Sequence, residues 1–286
     1  VADRAPTTHP VAGNGAADAS SALQDFDGIS YTKGSSVLKQ LNRSLGDEAF
    51  FGGAVDHFTR HRFGNATMHD LFASWERASG RDLSAFTGAW LRTAGPDTLT
   101  FDRAAGLVRR TPPADHPADR THAFRVAVHD GSGWTERSLD VTGDTTPLAV
   151  GDAPVLLDPY EDTWAVVHLD PTTLSALSTL LPRMSDERQR AAVGNAVRSG
   201  IHDATLAPAD ALALVEGSPP GQDTEDTRRR TMPWVLGRLV PLAGPGALAR
   251  VHRALLAVLA ALPPGSEQQL AAFRAAIASS SDAAQL

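Results

Sequence analysis

Tyr31 stands on the turn that enters an apolar-periodic stretch, where a side chain can project into a cleft. A phenol with a pKa of about 10 keeps its proton at neutral pH, so it can donate a hydrogen bond to an oxygen gaining negative charge. Taken on spacing alone, a tyrosine half-buried at a helix start with a locally satisfied hydroxyl is the simpler reading. Lys33, two residues on, points away from Tyr31 around the helix; it either adds positive potential near the site or is solvated.

The other chemistry-bearing residue patterns are weaker. His57 and His61 lie at i,i+4 and can share a metal, but Phe58 occupies the position where a general base would come after the first histidine. Phe58 also falls in the apolar row of its helix, and no third ligand is obvious, so a surface pair is expected. A metal-dependent hydrolase built on the two histidines is kept as a third reading. Gly244-Pro245-Gly246-Ala247-Leu248-Ala249 matches G-x-G-x-x-A in form. Yet a helical segment precedes it and Pro245 removes a backbone donor, so it reads as a helix–helix linker. Asp158, Glu161 and Asp162 are too few to enclose calcium and read as a hairpin turn. There is no G-x-S-x-G nucleophile elbow.

The elements that must position these groups fall into three stretches. Residues 1–28 lack periodicity and read as a loop, frayed when alone. Leu38, Leu41 and Leu45 recur at helical spacing from Tyr31 to Gly46, where a positive φ stops the helix. A second helix begins at Asp47, with Phe50, Ala54 and Phe58 in one row and Phe51 and Val55 beside it. Thr67-x-x-Asp70 is a capping-box pattern opening a third helix through Leu71, Phe72 and Trp75 to Gly80, and Ser84 starts a fourth carrying Phe86 and Trp90. From 97 to 170 the period changes. Phe124, Val126 and Val128 alternate with polar or small neighbours, Asp130-Gly131-Ser132-Gly133 turns the chain, and short runs at 98–102, 107–110, 134–141, 155–157 and 164–167 complete a small β-sandwich. From Pro171 onward, helical segments with caps at Thr173 or Ser185 and linkers at 217–221, 243–246 and 263–265 suggest stacked helical pairs.

The run Ile29-Ser30-Tyr31-Thr32-Lys33-Gly34-Ser35-Ser36 resembles the substrate-tyrosine segment of the zinc aminopeptidase N family, thermolysin-like enzymes that remove residues from peptide N-termini. Thr8-His9-Pro10-Val11 and Phe26-Asp27-Gly28 resemble the family's approach to that segment. Leu45-Gly46-Asp47-Glu48-Ala49-Phe50, His61-Arg62-Phe63-Gly64-Asn65-Ala66-Thr67 and Asp70-Leu71 resemble its next two helices, and Trp90-Leu91 and Gly95-Pro96 its exit from the catalytic domain. The likeness is specific over 8–96 and looser beyond. It implies an α+β multidomain chain: residues 1–96 as the helical end of a thermolysin-like catalytic domain, 97–170 as a β-sandwich, and 171–286 as the start of a C-terminal α-helical domain. It implies Tyr31 as the group that stabilises the tetrahedral oxyanion. It also implies Zn2+ held by an upstream H-E-x-x-H helix and a further glutamate, none of which occurs here. A piece of a larger enzyme is therefore expected, inactive alone, with the N-terminal remainder of that enzyme and peptide substrates as partners. The alternative is a non-catalytic interaction module that keeps the architecture.

Composition sets the outer bounds. The 286 residues suffice for two or three domains, 42% of them are hydrophobic, and no run of 18 or more apolar residues that could span a bilayer occurs. There is no cysteine, which removes disulfides, thiolate metal sites and cysteine nucleophiles. The formal charge of −7 argues against nucleic acid as partner. Arg228-Arg229-Arg230 reads as a solvated helix face, and Lys33 and Lys39 are the only lysines. A cytoplasmic location is expected, with secretion left open because no initiating methionine or leader is seen.

Overall fold

The computed structural model describes residues 2–13, 15, 17–23, 26–217 and 231–280. They form two compact units, 1–167 and 168–286.

In the first unit a short helix α1 (Ala19–Leu23) precedes a wide, π-type helical turn, Ile29–Lys33, that runs directly into α2 (Gly34–Leu45). Then come α3 (Asp47–Arg60), α4 (Met68–Ser79) and α5 (Ser84–Leu91). Gly46, at φ 83°, stops α2 where a side chain would be strained. The Thr67 hydroxyl accepts from the Asp70 backbone N–H while the Asp70 carboxylate accepts from that of Thr67, a complete capping box at the start of α4. Val37 and Leu41 of α2 pack with Phe72, Trp75, Leu83, Trp90 and Leu91 into one core, whereas Leu38 is exposed. Of the three leucines at helical spacing, Leu41 and Leu45 reach the core and Leu38 does not, its place being taken by Val37.

The expected buried row of α3 holds at Phe50, which packs against the core, and fails at Phe58. Phe58 is 73% exposed, Phe51 and Val55 are exposed with it, and Gly53 is the buried residue of the helix. The reason is close approach: at Gly53 the helix meets Trp75 of α4, whose indole stacks on Phe50 at 5.2 Å and donates Nε1–H to the Phe50 carbonyl at 2.8 Å.

The rest of this unit is seven strands: β1 (Asp97–Asp102), β2 (Leu107–Thr111), β3 (His122–His129), β4 (Trp134–Val141), β5 (Thr145–Pro147), β6 (Val155–Leu157) and β7 (Ala165–Val167). They make a four-stranded sheet in the order β5-β2-β1-β7 and a three-stranded sheet β4-β3-β6. Leu99, Phe101 and Val108 of the first share a core with Phe124, Val126, Val141, Val155 and Leu157 of the second. The strands flanking the acidic turn do not form the expected hairpin. β6 pairs antiparallel with β3, β7 pairs parallel with β1, and the turn carries the chain from one sheet to the other.

The second unit is helical, with α6 (Pro171–Leu180), α7 (Glu187–His202), α8 (Pro208–Gly217), a helical stretch ending in Val235–Leu242, α9 (Ala247–Ala261) and α10 (Glu267–Ser279). Asp170 and Asp186, not Thr173 and Ser185, cap α6 and α7. Gly244 and Gly246, both at positive φ, make the G-x-G-x-x-A segment the linker before α9. Leu212, Met232, Val235, Val251 and Leu255 form its core with Ala275 and Ala276. The triple arginine 228–230 and most of the 217–221 linker lie outside the described residues. Among the described residues no helix is long and apolar enough to cross a membrane.

Candidate functional site: the tyrosine turn

The chain between Asp27 and Gly34 is built around a short wide coil, a feature frequent at functional sites. Asp27 starts it: its Oδ1 accepts from the backbone N–H of Ile29 at 2.7 Å and of Ser30 at 3.2 Å. Partial burial works to raise the Asp27 pKa, but those N–H bonds and the neighbouring His9 outweigh it and hold the carboxyl below its ordinary value. His9 Nε2 stands 3.4 Å from Asp27 Oδ1, tying Thr8-His9-Pro10 to the start of the turn. On the inner side Ile29 is buried.

Tyr31 points the other way. It is 63% exposed, and its ring meets the edge of Phe26, at 5.9 Å between centroids. Among the described residues its hydroxyl has no hydrogen-bond partner, so the phenol proton is available to an incoming acceptor.

Lys33 is the surprise of the turn, since it is not solvated. The side chain is fully buried, with Nζ 3.1 Å from Asp3 Oδ2 and 3.3 Å from the carbonyls of Thr93 and Gly95. Burial pulls the Lys33 pKa down, and the Asp3 charge opposes that. Asp3 also accepts from Trp164 Nε1 at 2.7 Å, from the Thr8 hydroxyl at 2.7 Å and from the Gly95 N–H at 3.2 Å. Asp3 and Thr8 are therefore held at this point rather than frayed. Asp3 carries no motif, and nothing in its neighbourhood in the sequence marks it; Asp27, an N-cap residue type just before a helical run, is discoverable.

Behind the turn a second buried network joins the helices to the sandwich. Asp97 accepts from Arg120 at 2.5 Å, Arg110 at 3.0 Å and His122 at 3.1 Å, and Arg120 also donates to the carbonyls of Ala89, Thr93 and Ala94. Burial disfavours the Asp97 carboxylate, but His122 and the two guanidiniums win and keep its pKa low. Burial also lowers the His122 pKa, against the pull of Asp97.

The remaining candidates do not join Tyr31. The ring of His57 on α3 and that of His61, just past its end, lie 4.9 Å apart. Among the described residues no three His, Asp or Glu side chains are grouped so as to hold a metal ion, so those residues do not offer the donor set of a catalytic zinc. In the acidic turn Asp158 accepts from the backbone N–H of Asp162 at 2.6 Å and of Thr163 at 3.3 Å, while Asp162 is engaged by Arg125. Those carboxylates hold the crossover between sheets.

Comparison with known proteins gives the class first. Residues 1–90, which contain the tyrosine turn, match the Peptidase family M1 domain. Individual relatives agree with it. Aminopeptidase N of Streptomyces lividans is 35% identical over 99% of this chain and 36% of its own length. Aminopeptidase N of Lactococcus lactis subsp. lactis is 42% identical over 67 residues, 23% of this chain and 8% of that protein. The crystal structure of Legionella pneumophila aminopeptidase A in complex with aspartic acid aligns with a TM-score of 0.47 at 11% identity, over 89% of this chain and 35% of that one. The chain is thus related by sequence to the M1 aminopeptidases, as the motifs of residues 8–96 imply, and it spans about a third of the length of the Streptomyces protein.

Proposed function

We propose that these 286 residues serve as part of a zinc-dependent aminopeptidase that hydrolyses N-terminal residues from peptides. In that enzyme Tyr31 donates its phenolic hydrogen bond to the oxyanion of the tetrahedral intermediate. The carrying observation is the tyrosine turn itself: a phenol exposed on one side of a coil whose opposite side is buried and pinned. A donor aimed beforehand at a developing charge costs no reorganisation during the reaction, which is what makes such a group effective. The zinc is proposed to be bound by residues of the enzyme outside this chain, and the chain alone to be inactive. Phe51, Val55 and Phe58, which recur on one face of α3, and the exposed Phe63 fit a surface covered by the rest of such an enzyme. In domain terms, residues 1–96 are proposed to complete a thermolysin-like domain, with 97–170 as the β-sandwich and 171–286 opening a helical domain.

The test is Tyr31→Phe in the full-length enzyme. Losing one preorganised donor costs about 2.7–4 kcal/mol, so kcat falls about 10²–10³-fold with KM and bound zinc unchanged. A variant that keeps wild-type kcat refutes the role.

A further inference from the structure

We propose that Lys33 is a positioning residue for Tyr31, acting as a buried strut that fixes the outward aim of the phenol. Tyr31 and Lys33 are two residues apart on a helical coil, which places them on nearly opposite sides. Whatever holds one side still therefore orients the other. Lys33 is held by three acceptors from two separate segments: the Asp3 carboxylate near the N-terminus, and the Thr93 and Gly95 carbonyls between α5 and β1. Three donors on an ammonium meet three acceptors, and an apolar side chain of the same length would satisfy none of them. At the other end Asp27 fixes the backbone of Ile29 and Ser30. Tyr31 thus leaves a turn clamped before and behind it, which sets the direction of its Cα–Cβ bond, and the edge of Phe26 meets the ring. The functional meaning of the strut rests on the reading of Tyr31 as oxyanion donor; its test does not.

The chain contains two tyrosines and no cysteine. With 3-fluorotyrosine incorporated, the 286-residue protein gives two 19F resonances, one for Tyr31 and one for Tyr160, which is buried in the acidic turn and reports an intact sandwich. In Lys33→Met the Tyr31 resonance is expected to move to the position of free fluorotyrosine and sharpen, while that of Tyr160 stays. Lys33→Cys should do the same. Aminoethylation of that single thiol in the unfolded chain, with refolding afterwards, restores an ammonium at the same reach and should return the Tyr31 resonance to its wild-type place. A Tyr31 resonance unmoved in Lys33→Met overturns the proposal, as does one that aminoethylation fails to restore in a protein whose Tyr160 resonance is native. Should Lys33→Met lose both native resonances, Asp3→Asn takes its place under the same criterion: Tyr31 must move and Tyr160 must not. Since the readout is ring environment, Lys33 can pass this test while Tyr31→Phe retains full kcat, and the two ideas fail separately.

Discussion

Replacing Gly53 by alanine should destabilise the first unit, although glycine in a helix interior ordinarily favours such a change. An alanine gains about 1 kcal/mol over glycine in helix propensity. At Gly53, however, an added Cβ falls 2.3 Å from Trp75 Cδ1 and 2.9 Å from Trp75 Cα. The ring atom can rotate away; the backbone atom moves only if α4 does. Overpacking of this kind costs about 1–3 kcal/mol. Rotating the indole also gives up the stack on Phe50, about 0.5–1.5 kcal/mol, and the bond to the Phe50 carbonyl, about 0.5–1.5 kcal/mol. The balance is destabilising by about 3 kcal/mol at mid-range, and by about 1 kcal/mol if only the smallest of these costs apply. Gly52 is the built-in control: it is exposed, nothing stands within 4 Å of its would-be Cβ, and alanine there should stabilise the helix. Urea unfolding monitored by tryptophan fluorescence compares the two at constant m. A Gly53→Ala protein as stable as wild type, or more so, would refute the helix contact.

The buried charges give two further outcomes. Arg120→Met leaves Asp97 with one guanidinium fewer and the carbonyls of Ala89, Thr93 and Ala94 without that donor, so a loss of about 3–5 kcal/mol in urea is expected, and wild-type stability would count against the network. Asp158 is pushed up to about 7 by burial, with the neighbouring Asp162 and Glu161 charges adding to the effect against backbone bonds from Asp162 and Thr163. The folded protein therefore holds a proton there that the unfolded chain releases above 3.8, and this contribution to stability is lost as pH rises through the window from 3.8 to about 7. Asp158→Asn should flatten the fall in Tm across that window, and an identical slope in both proteins would exclude it.

The helices are legible in the sequence because their punctuation is local. Gly46, Gly80 and the Thr67–Asp70 box act within one turn of chain, and each ends or begins a helix where its chemistry requires. Partner choice is not legible. Val155-Leu156-Leu157 and Ala165-Val166-Val167 carry the right period for strands, but period is silent on which sheet a strand joins, so an apparent hairpin is in fact a crossover. On α3 the aromatic side chains suggest the buried face, whereas the structure buries the residue with no side chain because that is where a neighbouring helix comes closest.

Tyr31 and Lys33 show the same divide within one turn. The motif around the tyrosine singles it out in the sequence, and the structure leaves its side chain exposed. The lysine lies two positions away, and its residue type suggests a surface charge, since lysine is almost never fully buried unless paired. Its pair, Asp3, stands 30 residues upstream, and its two carbonyl acceptors lie 60 and 62 residues downstream. A side chain whose environment is assembled from two distant stretches leaves no periodic trace. Desolvating an ammonium is costly, so a lysine sealed at this point depends on all three of its acceptors being in place. Replacing it with an apolar residue would simplify the core and release the turn.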